Sequence, residues 1–295
     1  MSTLDSSLRP QAIRRPRRWA SRLGSRLGFS AGLAAIVIAL LALVAILAPL
    51  IAPHDPNVVD LAAANHGPSA EHLLGTDSTG RDILSRLMHG ARLSLLGPLC
   101  VVAVATVLGT TIALVAVWWG GRVDTVATRA MDILFAFPAL LLAILAVALF
   151  GAGLVAPGIA LAVAFTPYVA RLNRAPALRL RSMPFVEASE VQGFSAVVIC
   201  VRHLLPNLAP FIAAQATVLF GTALIDLAAL SYLGLGVQPP TAEWGAMVAA
   251  GQASIIAGFP QESLAAGILI IVTVVSFNVL GQRLSETVRD PTGGA

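Results

Sequence analysis

The sequence predicts an all-α integral membrane protein with six transmembrane helices. Composition is the first observation: 57% of the 295 residues are hydrophobic and only 12% are charged. Soluble globular domains carry about 25% charged residues, so an ordinary soluble core is excluded as the class. The second observation is that the apolar residues form six runs, most of them near the ~20 residues that cross a hydrocarbon core.

The six apolar runs are separated by polar or Gly/Pro-rich segments. The first run has about 25 apolar residues, longer than the ~7–15 residues of a signal-peptide core, so it is predicted to be a retained membrane helix. The fourth run is the shortest, and the tight turn "GAGLVAPG" separates it from the third. The predicted spans are residues 28–52, 93–119, 130–151, 154–170, 208–232 and 263–282.

These spans divide the chain into four parts. We predict a basic cytoplasmic tail at 1–27, an N-terminal transmembrane helix with its outer loop at 28–92, a membrane core at 93–283 and a cytoplasmic C-terminal tail at 284–295. Six spans place both termini on the same side of the membrane.

The distribution of arginine predicts which side that is. All 19 basic residues are Arg. If the termini are cytoplasmic, 16 of them lie in cytoplasmic segments, and only Arg81, Arg86 and Arg92 lie outside. This asymmetry follows the positive-inside rule. We therefore expect a multi-pass protein with both termini in the cytoplasm, and residues 171–207 in a cytoplasmic loop.

Several function classes are excluded by composition. A nucleotide-binding P-loop needs a Lys, and the chain has none, so it is not an ATPase of that kind. The pI near 10 does not indicate nucleic-acid binding, because the Arg residues flank apolar spans. Cys100 and Cys200 lie far apart and predict neither a disulfide nor a metal site. No nucleophile–base pair is evident, so no catalytic residue is predicted.

The cytoplasmic segment 171–207 is unusually polar, and it contains Pro and Gly residues at positions that favour helix starts and stops. "RLNRAPALRLRSM" is predicted to continue the fourth span. Pro184 suits a first helical position, and Gly193 is a natural stop for the helix "FVEASEVQ". "SAVVICVRHLL" is then expected to lie against the bundle. The predicted loop-to-helix turn into the fifth span consists of Leu205, Pro206 and Asn207.

The short helix is expected to project from the membrane. Phe185 and Val186 would form its apolar tip, while Glu187 and Glu190, three residues apart, would share a face. Two interpretations remain open on these residues alone: a solvated loop helix, or a projection that docks on a partner protein, which would explain an exposed apolar tip.

This segment resembles the EAA loop of ABC-importer permeases. That pattern is Glu-Ala-Ala, three residues, Gly, nine residues, then Ile, any residue, Leu and Pro. Here Ser189 replaces the second Ala and His203 replaces the Ile, whereas the Gly and Leu-Pro spacings hold. "HLLGTDSTGRDILSRLMHGARLSL" (72–95) and "ALIDLAALSYLGLGVQPPTAEWG" (223–245) also resemble segments of the dipeptide/oligopeptide/nickel subfamily.

The resemblance implies a type I permease fold and a set of partners. These are a second homologous permease, one or two cytoplasmic ATPase subunits, an extracytoplasmic substrate-binding protein and the lipid bilayer of a bacterial inner membrane. ATP and Mg would bind the ATPases, and this chain would bind no cofactor. The residues expected to couple to the ATPase are Pro184, Phe185, Val186, Glu187, Ala188, Ser189, Glu190 and Gly193.

The cargo implied by the resemblance is a dipeptide or oligopeptide. Nickel or another small solute is the alternative cargo, and a stand-alone secondary transporter is the alternative machinery. The latter would favour inverted repeats and intramembrane ion-coupling charges. Asp226, late in the fifth span, is a possible pathway residue because intramembrane acids are functional candidates.

Other polar residues favour structural roles. Asp132 is expected to pair with Arg129 nearby in sequence. His54, His66 and His72 are spread over the outer loop without ligand spacing, so no metal site is predicted. The loop motif "GTDSTGRD" offers turns and helix caps, and it is expected to be a structural bracket.

Overall fold

The structure is a computed structural model that describes residues 28–289, and its regular structure there is helical apart from one β-bridge, Thr76–Asp82. The basic tail at 1–27 and residues 290–295 lie outside the described residues. A π-helical segment, Cys200–Leu204, joins the helices Ala196–Ile199 and Leu205–Tyr232. The helices are α1 (Phe29–Ile51), α2 (Ile83–Trp119), α3 (Gly121–Phe135), α4 (Ala139–Phe150), α5 (Val155–Arg181), α6 (Pro184–Val191), α7 (Ala196–Ile199), α8 (Leu205–Tyr232), α9 (Trp244–Ala250), α10 (Gln252–Ile256) and α11 (Gln261–Arg289).

Within residues 28–289, the helices that can cross a membrane match the predicted spans in number when one bent pair is counted as a span. Helices α1, α2, α5 and α11, and the continuous helix Ala196–Tyr232, are long and apolar enough by themselves. The predicted span at 130–151 is bent in the structure, because α3 and α4 are inclined at 78° to each other. Pro138 explains the break: it has no amide hydrogen to donate and its ring disfavours helical geometry at Phe137.

Two helix ends also differ from the prediction. Helix α2 begins at Ile83 rather than near residue 93, because the Asp82 carboxylate accepts a hydrogen bond of 2.8 Å from the Ser85 amide and caps the helix. Helix α11 continues to Arg289, so the start of the predicted C-terminal tail is helical. The expected continuation of the fourth span is confirmed, since α5 extends to Arg181.

The predicted turn at Leu205, Pro206 and Asn207 is wrong. These residues form the first turn of α8, which continues directly from α7 through the π-helical segment. Pro206 lacks an amide hydrogen and would crowd the carbonyl four residues before it in a regular α-helix. The preceding turn is widened, with the Leu205 amide donating to the Cys200 carbonyl, so the chain passes Pro206 without turning.

The centre of the bundle is formed by α2, α5 and α8. Helices α2 and α5 cross at Gly109, where a Cβ would lie 2.7 Å from Val169 Cβ and 2.8 Å from the Thr166 carbonyl oxygen. Next to this crossing, the buried Asn173 amide donates to the Thr110 hydroxyl at 2.8 Å. The close approach therefore depends on the absence of a side chain at Gly109.

The two long loops lie together at one end of the bundle. Arg86 in α2 donates to the Pro56 carbonyl at 3.0 Å and to the Pro240 carbonyl at 3.3 Å, which links the loops. Within "GTDSTGRD", Asp77 accepts hydrogen bonds from Thr79 and Arg81. Burial alone would raise the pKa of Asp77, but these bonds hold the pKa below its ordinary value. The network supports the expectation that this motif is a structural bracket.

Candidate coupling surface

Helix α6 lies at the opposite end of the bundle from the long loops, since it packs beside Trp118 at the last turn of α2. Pro184 occupies its first turn. Its C-terminus is a Schellman motif, in which the Gly193 amide donates to Glu190 O at 2.9 Å and the Phe194 amide to Ser189 O at 3.2 Å. Gly193 has φ +81°, a conformation that glycine adopts without strain. The Pro-started, Gly-ended helix is confirmed.

Val186 anchors α6 to the bundle. Its side chain is 1% exposed and packs with Ile199 and Leu204, while Leu114 and Leu180 contact the same cluster. The expected apolar tip is therefore wrong for Val186. Only Phe185 reaches the surface, where it is 36% exposed. The physical reason is that α7 and the π-helical segment fold back beneath α6 and cover the face that carries Val186.

The two departures from the EAA pattern occupy packing positions. Ser189 is 8% exposed, and its hydroxyl donates to the Phe185 carbonyl at 2.8 Å, so its polar atom is satisfied within the helix. The His203 ring lies beside Phe185 and Phe194, with centroid distances of 6.4 Å to each. Neither substitution disrupts the local fold.

An exposed apolar area remains on the outer side of α6 and the turn after it. We call Phe185, Val191 and Phe194 the coupling surface; Val191 is 89% exposed and Phe194 is 44% exposed. Glu187, Ala188 and the ring of Pro184 are exposed around it. Apolar side chains grouped in this way are typical of a surface that a partner covers.

Arg181 connects α6 to two spans. Its guanidinium carbon lies 4.2 Å from the centroid of the Trp118 ring at the end of α2. Its Nη2 lies 3.8 Å from Glu190 Oε1. Glu190 is thus engaged within the chain, whereas Glu187 has no ion-pair partner among residues 28–289. Sequence reasoning missed Arg181 and Trp118 as a pair; the only signal was an Arg shortly before Pro184 and an aromatic residue at a span end.

Two further ion pairs hold α3 against α5 at this end. Asp132 pairs with Arg171 at 2.6 Å, so its expected pairing with Arg129 is wrong. Asp124 pairs with Arg174 at 2.8 Å. The Asp132–Arg171 pair is more than half exposed, so it contributes only ~0–1 kcal/mol. These contacts are structural rather than transport chemistry.

The possible pathway residue Asp226 lies in α8 and is partly buried. Within the described part of the chain it has neither a hydrogen bond nor an ion-pair partner. Its assignment to the pathway stays a prediction.

Two of the three outer-loop histidines, His54 and His72, lie close together in the structure. His72 Nδ1 lies 3.0 Å from Asp82 Oδ1, and His54 Nδ1 lies 3.9 Å from Asp82 Oδ2. His66 is exposed and lies outside this group. The expectation that these residues are spread without ligand spacing is wrong for His54 and His72, because the fold brings together segments that the sequence separates.

Apolar spans around a close-packed centre are typical of a multi-pass membrane protein. Residues 105–290 match the family described as "Binding-protein-dependent transport system inner membrane component". Residues 30–68 match the "N-terminal TM domain of oligopeptide transport permease C". The chain belongs to this family, and it is a permease subunit of an ABC importer.

Relatives and solved structures agree with that assignment. The chain is 41% identical over 241 residues, 81% of its own length and 79% of the relative's, to "Glutathione transport system permease protein GsiD" of Escherichia coli O1:K1. It is 43% identical over 226 residues, 76% of its length and 73% of the relative's, to "Dipeptide transport system permease protein DppC" of Alkalihalophilus pseudofirmus.

The fold is similar to that of a chain in an inward-facing structure of the MetNI methionine ABC transporter. The TM-score is 0.54 at 20% identity, covering 68% of this chain and 95% of that chain. A second crystal form gives 0.56 at 19% identity, covering 70% and 97%. This similarity identifies the type I importer permease fold.

Proposed function

We propose that this chain forms, with a second permease, the path by which an ATP-driven importer moves short peptides across a bacterial inner membrane. The support for the cargo is that the two relatives are named for glutathione, a tripeptide, and for dipeptides. These names favour a short peptide over the alternative cargo, nickel. An extracytoplasmic binding protein would deliver the peptide to the end of the bundle formed by the two long loops.

The coupling surface is the observation that carries the proposed mechanism. An ATPase cleft that covers Phe185, Val191 and Phe194 removes their exposed apolar area from water, which stabilises the complex. A basic group opposite the exposed Glu187 would add only ~0–1 kcal/mol. Affinity therefore rests mainly on the aromatic and aliphatic contacts. ATP and Mg bind the ATPase, and this chain transmits motion.

Three contacts allow α6 to transmit a displacement. Val186 fixes α6 in an apolar socket, and Arg181 ties it to Trp118 at the end of α2. Helices α2 and α5 then interlock at Gly109. Movement of α6 with an ATPase would tilt both spans together. ATP shifts the permease between inward- and outward-facing states only if the ATPase contacts α6 differently in its two states.

Reconstitution tests the function. The complete complex in liposomes should accumulate a labelled dipeptide only with ATP and binding protein, and Phe185→Ala should reduce both ATPase association and uptake. The chain alone should not accumulate peptide under a proton or sodium gradient. Robust uphill uptake by the chain alone would show a secondary transporter instead, and uptake of Ni²⁺ without peptide competition would overturn the cargo.

A further inference from the structure

Three segments of the chain converge beside the start of α2. His54 follows the end of α1, His72 lies in the long loop, and Asp82 caps α2. Their ligand atoms all lie within 4.8 Å of one another. The two imidazole rings are neighbours, with centroids 4.8 Å apart and planes inclined at 37°. No role in peptide transport or ATPase coupling accounts for this grouping, which lies at the end of the bundle away from α6.

We propose that His54, His72 and Asp82 bind a divalent first-row metal ion such as zinc. The bound ion would hold the outer loop against the end of α1 and the start of α2. Two imidazole nitrogens and a carboxylate are a three-ligand set suited to zinc, with a fourth position left for water. Calcium and magnesium prefer all-oxygen surroundings. The mixed nitrogen and oxygen donors therefore select against these two ions.

An unpaired atom within the group supports the proposal independently of the distances. His54 Nδ1 is buried and has no hydrogen-bond partner. The backbone of the same residue is fixed, since its amide donates to Ser85 Oγ at 3.0 Å. A buried polar atom without a partner costs about 1–3 kcal/mol. A metal bond to Nδ1 would satisfy it.

A second layer of contacts orients the carboxylate. Asp82 Oδ2 accepts hydrogen bonds from the Ser85 amide at 2.8 Å and the Ser85 hydroxyl at 2.6 Å. This leaves Oδ1 directed at His72. Outer contacts of this kind commonly fix the orientation of metal-ligating side chains. Ser85 thus organises the group twice, through Asp82 and through the backbone of His54.

The three ligand atoms are spaced slightly too widely for zinc. Bonds of about 2.0–2.1 Å in a tetrahedral site separate ligand atoms by roughly 3.4 Å. The distance from His72 Nδ1 to Asp82 Oδ1 is 3.0 Å, near this value, whereas His54 Nδ1 lies 3.9 Å from the other carboxylate oxygen, Asp82 Oδ2. Because the ligand atoms of the group lie within 4.8 Å of one another, closure requires movements of up to about 1.4 Å. The His54 side chain is 36% exposed, so rotation toward the ion has room.

Zinc titration of the full-length chain, purified in detergent and stripped with chelator, tests the site. Binding is measured by competition with a chelating dye, with Mg²⁺ as the ion control. His54→Ala removes the ligand that has no other partner, and His66→Ala is the matched control from the same loop. We expect one zinc ion per chain, at least ten-fold weaker binding in His54→Ala, and unchanged binding in His66→Ala.

Hydrogen exchange provides a second readout. Zinc should slow amide exchange across residues 54–82 in the wild type and in His66→Ala, but not in His54→Ala; His54→Asn replaces the alanine variant if that one does not fold. The proposal is overturned if wild type binds zinc no more tightly than His54→Ala. It also fails if Mg²⁺ competes equally with zinc, or if loss of His66 rather than His54 abolishes binding.

Discussion

The guanidinium of Arg181 lies over the indole ring of Trp118, with its carbon 4.2 Å from the ring centroid. The contact joins the last turn of α5 to the last turn of α2, immediately before the chain enters α6. A cation over an aromatic face contributes about 0.5–2 kcal/mol. It therefore ties α2 to the end of α5, from which the chain passes into α6 and the coupling surface.

Arg181→Ala should uncouple transport from ATP hydrolysis. The variant loses the contact with Trp118 and the weaker contact with Glu190, so only the apolar cluster around Val186 would still join α6 to α2. We expect ATPase association to persist and peptide uptake per ATP hydrolysed to fall several-fold. Arg179→Ala is the control, because Arg179 is exposed on the same turn. Equal uptake per ATP in both variants would contradict the link.

Substitutions at Val186 and Phe185 should distinguish anchoring of α6 to the bundle from docking of α6 on the ATPase. Val186→Ala removes methyl groups from a fully buried socket, so the isolated permease should lose about 2 kcal/mol of stability. Phe185→Ala should change that stability little but weaken co-purification with the ATPase. Thermal unfolding of the permease and pull-down of the complex measure the two effects. If both variants reduce stability equally and neither affects association, Phe185 is not part of a docking surface.

Gly193→Val should disturb the end of α6 through backbone conformation. A Cβ at this position would meet nothing within 4 Å, but φ is +81°, which a β-branched residue adopts only with strain of about 1–3 kcal/mol. Gly193→Asn is the matched control, because Asn tolerates the left-handed region better. We expect coupled hydrolysis to fall more for Val than for Asn. The same loss in both would indicate that side-chain size, not backbone strain, matters here.

Gly109→Ala should push α2 and α5 apart. The new methyl group would lie closer to Val169 and Thr166 than van der Waals contact allows, which destabilises the bundle by about 1–3 kcal/mol. Gly267→Ala in α11 is the control, since a Cβ there meets nothing within 4 Å. Thermal unfolding in detergent compares the two. A Gly109→Ala variant as stable as Gly267→Ala would show that the crossing is loose.

The orientation of the chain can be tested by labelling. In a background with Cys100 and Cys200 replaced by Ser, a cysteine at position 66 should react with an impermeant reagent in intact cells, and one at Ala188 should react only after lysis. The arginine asymmetry is the reason for this expectation. Labelling of position 188 from outside would reverse the topology and remove the coupling surface from the cytoplasm.

The sequence by itself determined the features that depend on local chain chemistry. Run length and apolar content predict the spans because the hydrocarbon core has a fixed thickness. Pro184 and Gly193 predict the limits of α6 because they restrict or free the backbone at single positions. The EAA spacing placed that helix in a family of permeases. Each of these signals lies within a short stretch of residues.

Only the tertiary structure decided which faces are covered and which distant residues meet. Val186 is buried because α7 folds beneath it, and Arg181 finds Trp118 because α2 and α5 end side by side. Likewise, His54, His72 and Asp82 come together only when the loop folds over the start of α2. The bend at Pro138 and the straight passage through Pro206 show the same limit. A proline signals a missing amide hydrogen, but it does not show whether the chain bends there, as at Pro138, or passes through a widened preceding turn, as at Pro206.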